Sequence, residues 1–114
     1  MEHQLLNQFQ AYENERFTKR IVFKQPGSIV FTLNFEPGQQ LPAHRHPGAD
    51  VYILVSEGKG IFDCDGTETA VSAGDVVHVQ GDELMSYRSG ETERSSLYVT
   101  LVNIPNPEYA QNLG

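Results

Sequence analysis

The chain has 114 residues, which fits one domain with one real core. Its 15 acidic against 8 basic residues give a formal charge of −7, which argues against nucleic acid or an anionic membrane as main partner. The lone cysteine, Cys64, excludes an intramolecular disulfide and fits a reducing compartment.

Residues 1–16 are polar with scattered Leu5, Leu6, Phe9 and Tyr12. Leu5, Phe9 and Tyr12 stand at i, i+4 and i+7, so a short amphipathic helix or a loose arm is expected. His3 in this arm has no partner nearby in sequence and is expected in solvent. There is no basic leader and no apolar run of membrane length, so a cytoplasmic protein is expected.

From about Thr18 the pattern changes to strands. Residues 19–25 form the first, and Pro26-Gly27 turns it. Residues 28–35 alternate, with Ile29, Phe31, Leu33 and Phe35 on one face and Val30, Thr32 and Asn34 on the other. Pro37-Gly38 breaks the chain again. Val51–Val55 is a continuous apolar run, which predicts a strand buried on both faces.

Residues 61–65 and 67–72 form a hairpin around Asp65-Gly66. Val76–Val79, Leu84–Arg88 and Ser96–Ile104 complete eight or nine strands. Pro105 and Pro107 end the last one, and 105–114 reads as a polar tail. Many short strands with Gly, Pro and Asp turns predict an all-β sandwich or barrel in a single domain spanning 1–114.

The segment that carries chemistry is Leu41-Pro-Ala-His44-Arg-His46-Pro-Gly-Ala-Asp50. Imidazoles at i and i+2 on an extended chain project to one side, so His44 and His46 can reach one point in space. Arg45 points to the opposite face. Cys64 lies between Asp63 and Asp65, whose carboxylates disfavour a reactive thiolate. Asp75 after Gly74 reads as a turn residue accepting backbone hydrogen bonds. No serine elbow, phosphate loop or paired catalytic carboxylate is present.

Gly38, His44-Arg-His46, Asp50 and Gly58 together resemble the first motif of the cupins. Gly74-Asp75-Val-Val-His78-Val-Gln80-Gly-Asp82-Glu-Leu-Met85 resembles the second, and the likeness runs over residues 28–103. It implies a small barrel of the double-stranded β-helix or jelly-roll type, often paired as a homodimer.

It also implies a divalent metal site of two histidines, a glutamate and a third histidine. Here only His44 and His46 match. The glutamate position falls on Val51 and the third-histidine position on Met85. Asp50 and Glu83 are the acids that could complete a metal site, with Val51, Gln80 and Met85 lining the pocket. His78 is expected to turn away, because Val77 and Val79 read as the core-facing pair.

The functional expectation is a small-molecule binding cupin with a mouth around His44 and His46. The alternative is a metal-dependent enzyme of dioxygenase, decarboxylase or isomerase type. A homodimer is expected from surplus apolar strand faces at Ile21, Phe23, Phe31 and Phe35.

Overall fold

A computed structural model describes residues 1–102. The chain opens with a short 3-10 turn, Leu6–Phe9, and continues as nine strands. They are β1 (Thr18–Gln25), β2 (Ser28–Phe35), β3 (Gln40–His44), β4 (Asp50–Glu57), β5 (Lys59–Cys64), β6 (Thr67–Ser72), β7 (Val76–Gln80), β8 (Met85–Ser89) and β9 (Ser95–Val102). The strands form two antiparallel sheets, β1-β2-β9-β4-β7 and β3-β8-β5-β6. Their inner faces meet over one core, as a closed jelly roll requires.

The period of two decides which side chains enter that core. Phe31, Leu33 and Phe35 of β2 lie in register with Val99, Leu97 and Ser95 of β9, and Val99 and Leu97 in turn pair with Ile53 and Val55 of β4. From the second sheet come Phe62, Val71, Met85 and Tyr87. Phe17, Phe35, Tyr87 and Phe62 stack in sequence, with ring centroids 5.2, 4.9 and 4.7 Å apart. They fill one end of the barrel with aromatic surface.

The hairpin turn at Asp65-Gly66 has φ of 52° and 87°, the left-handed geometry that this dipeptide favours. Asp75 accepts the backbone N–H of Ser72 at 2.8 Å, as expected of a turn residue.

Two expectations change. Val51–Val55 is buried on one face only: Val51, Ile53 and Val55 enter the core, while Tyr52 and Leu54 are exposed on the outer sheet face. A continuous apolar run does not mean two covered faces here, because no layer lies over this side of β4 among the described residues. Conversely, Thr32 and Asn34, on the outer face of β2, are fully buried there.

The N-terminal arm covers them. Thr32 and Asn34 both donate to the carbonyl of Phe9, at 2.5 and 2.8 Å. Asn34 also donates to Thr18 Oγ1 and accepts from Ser96 Oγ at 2.7 Å. The Thr18 hydroxyl donates to the Ala11 carbonyl. The arm is thus clasped to the sheet by a closed polar network; it is not loose, and its only helical piece is the 3-10 turn. The last strand is described to Val102; residues 103–104 of the expected strand and the 105–114 tail lie outside the described residues. No described helix is long and apolar enough to cross a membrane.

Candidate functional site

His44 is the last residue of β3, and its strand pairing to β8 is irregular between Leu41 and His44. His46 lies just beyond the strand, where its backbone N–H donates to the Gly81 carbonyl at 3.0 Å. A Cβ on Gly81 would lie 2.2 Å from the His46 carbonyl oxygen, so this loop can approach only a glycine. The two rings meet edge to face with centroids 4.6 Å apart.

Both line one cavity of about 330 Å³ inside the barrel. Its floor is apolar, with Phe31, Leu33, Val51, Ile53, Met85 and Leu97 among its lining residues. Val51 and Met85 therefore stand where pocket residues were expected. Met85 is in register with His44 on one side and Cys64 on the other. Burial, then the carboxylates of Glu83, Asp65 and Asp63, push the Cys64 thiol pKa up, which leaves it protonated and unreactive at neutral pH.

The tautomer of His44 is set by its neighbour. Its Nδ1 lies 2.8 Å from the Pro42 carbonyl, which can only accept, so Nδ1 carries a proton and in the neutral ring it is Nε2 that holds the lone pair. His46 has its pKa lowered, mainly by burial and then by the positive fields of His44 and Lys19. Near neutral pH it is an uncharged imidazole that can donate and accept.

The acids expected to complete a metal site are elsewhere. Asp50 sits on the outer face of β4, where its Oδ1 is 2.7 Å from Nε2 of His78. A residue adjacent to inward-facing Val51 must point outward, and no bulge at Asp50 reverses it. Gln80, in register with Asp50, shares that outer face and is exposed, which corrects its assignment to the pocket lining.

Glu83 Oε1 caps its own turn by accepting the Gln80 N–H at 2.8 Å. His78 stacks on Tyr52 outside the barrel, with centroids 4.8 Å apart, as its place between Val77 and Val79 required. Among the described residues, no three His, Cys, Asp or Glu side chains converge on one point. Two imidazoles are fewer donors than the three or four protein ligands a zinc or transition-metal centre takes, so the donor set among the described residues does not fit such a metal.

Sequence reasoning missed Arg16, Phe17 and Lys19, which also line the cavity. The signal was present in the period of two. Lys19 and Ile21 share the face that pairs with Leu33 and Phe31. Lys19 Nζ lies 4.4 Å from the Phe31 ring centroid. His3 is exposed, as expected. Tyr87 is core, while Tyr98 lies outside the barrel with Tyr52.

Two facing antiparallel sheets around a cavity mouthed by paired histidines define a small β-barrel. The chain belongs to the cupins: the Cupin domain family matches residues 31–101. It is similar to an RmlC-like cupin from Desulfovibrio desulfuricans, at 25% identity and a TM-score of 0.81, over 90% of this chain and 97% of that one. A protein from Thermus thermophilus superposes with a TM-score of 0.84 at 22% identity, over 90% and 97% of the two chains. A conserved double-stranded β-helix protein from Klebsiella pneumoniae gives 0.84 at 17% identity, over 90% of each. No curated protein matches the chain.

Proposed function

We propose that this cupin binds a small molecule in the barrel mouth, with His44 and His46 as its polar contacts. The supporting observation is the cavity of about 330 Å³, apolar below and lined by both imidazoles. That volume and that polarity are those of small-molecule sites. The free Nε2 lone pair of His44 accepts a ligand hydrogen bond, and neutral His46 can donate one.

A metal-dependent enzyme has one observation in its favour. The Pro42 carbonyl on His44 Nδ1 is the kind of contact that orients a metal-binding imidazole. It lacks an acid donor, so the binding reading is preferred. Elemental analysis of dialysed protein tests the two. The expected result is metal well below one ion per chain; a stoichiometric ion lost in the H44A/H46A double variant would overturn the binding reading in favour of the enzyme.

We further propose that two copies pair in solution. The apolar surplus expected at Phe31 and Phe35 is not available, because both rings are in the core. Exposed apolar side chains remain at Ile21 and, on the outer face of β4 and β7, at Tyr52, Leu54 and Val76. Val76 is 75% exposed. Light scattering at micromolar concentration should give a dimer mass, and V76E should shift it toward the 12.7 kDa monomer. A monomer mass for the unaltered protein would count against pairing.

A cytoplasmic location belongs to the same proposal, supported by the unpaired thiol of Cys64.

A further inference from the structure

The charges around the cavity run against the charge of the chain. Arg16, Lys19, His44 and His46 line it, and among the described residues no aspartate or glutamate does. His46 is also part of a neighbouring surface groove of about 430 Å³, which adds Lys24 and Arg45 and again no described acid. Two of the chain's 8 Lys and Arg residues thus line the cavity and two line the groove that shares His46 with it, with no described acid in either.

Among the described residues these four cations are also uncompensated. Of the other arginines, Arg20 pairs with Glu13 and Arg94 with Glu36, while Arg88 pairs with no carboxylate among the described residues. Among the described residues, Arg16, Lys19, Lys24 and Arg45 form no ion pair with a carboxylate. Arg16 and Lys19 lie instead over the rings of Phe17 and Phe31. Arg45 Nε donates to a backbone carbonyl, that of Asp82. A cavity and groove lined by cations that have no carboxylate partner among the described residues draw in anions and turn away cations.

We infer that the barrel selects a carboxylate that carries an apolar body, over neutral or cationic molecules of the same shape. The apolar body sits against Leu33, Val51, Ile53 and Met85, and the carboxylate faces Lys19 and the ring N–H of His46. Lys19 is the residue placed to set this preference, since it lines the cavity beside Phe31 and its positive charge acts on His46. The inference rests on the binding reading above, and its test separates the two.

Phenylacetate, phenylacetamide and 2-phenylethylamine share one shape and differ in charge. Their binding to the full-length protein is measured by calorimetry at low and high salt. The expected result is that phenylacetate binds at least about 10-fold more tightly than the amide and that salt narrows the gap. The amine binds weakest.

K19Q should cut phenylacetate affinity about 5- to 10-fold and leave the amide unchanged, because an exposed side chain is altered and the cavity keeps its shape. K19R should keep the preference. If acid and amide bind equally, and V51W abolishes both by filling the cavity, the anion preference is wrong and the binding site stands. If none of the three binds, both fail. If K19Q folds normally and affects acid and amide alike, Lys19 does not read the carboxylate and its assignment is overturned.

Discussion

Gly60→Ala should lower the stability of the barrel by about 3 kcal/mol, at the upper end of what overpacking a core costs. Gly60 lies on the inner face of β5, in register with Val71 and Ser89. A Cβ there would sit 2.2 Å from the Tyr87 hydroxyl and 2.5 Å from the Arg88 carbonyl oxygen. Neither neighbour can give way cheaply. The Arg88 carbonyl is sheet backbone. Tyr87 is fully buried, its ring is wedged between Phe35 and Phe62, and its hydroxyl donates to Ser95 Oγ at 2.8 Å. Moving that ring breaks a buried hydrogen bond and opens a gap in the aromatic stack. Gly27→Ala is the matched control: nothing lies within 4 Å of its would-be Cβ, and stability should stay within about 0.5 kcal/mol. Urea unfolding of both variants reads the difference, and a G60A midpoint equal to that of G27A would refute the packing account.

Asn34→Ala should cost a further kind of stability, about 2–3 kcal/mol, by leaving buried partners unpaired. The carboxamide holds the Phe9 carbonyl, the Thr18 hydroxyl and the Ser96 hydroxyl in one closed network with no exposed member at its centre. Alanine fills none of these roles. The effect should also be local, because the network is the arm's main attachment to the sheet. The arm leads directly into Arg16 and Phe17, which line the cavity, so phenylacetate binding should weaken in N34A as well. Hydrogen exchange should speed up in residues 8–12 before the strands. Loss of stability without faster exchange in the arm would show that Asn34 supports the sheet alone.

Much of this was legible in the chain. The alternation in residues 28–35 placed Phe31, Leu33 and Phe35 on the core face, and the structure has them there. The glycines and spacings around His44 and His46 pointed to the cupin family, which the match over residues 31–101 shows. The pair itself lies at the cavity because its local backbone brings both rings to one side. The orientation of His78 followed from the same period of two.

The sequence by itself therefore determined most of the strands, the inner faces of those that alternate, the barrel and the position of the histidine pair, but neither the strand Gln40–His44 nor the single buried face of Val51–Val55. These depend on local periodicity and turn chemistry, which a chain carries along its own length. Only the tertiary structure decided what surrounds them. It put Asp50 on His78, committed Glu83 to its own turn, and left Tyr52 and Leu54 uncovered. It also laid the arm over Thr32 and Asn34, and set Arg16 and Lys19 at the cavity and Lys24 and Arg45 at the groove that shares His46 with it. Those outcomes come from contacts between residues distant in sequence, through sheet register and layer packing, and no local pattern specifies them.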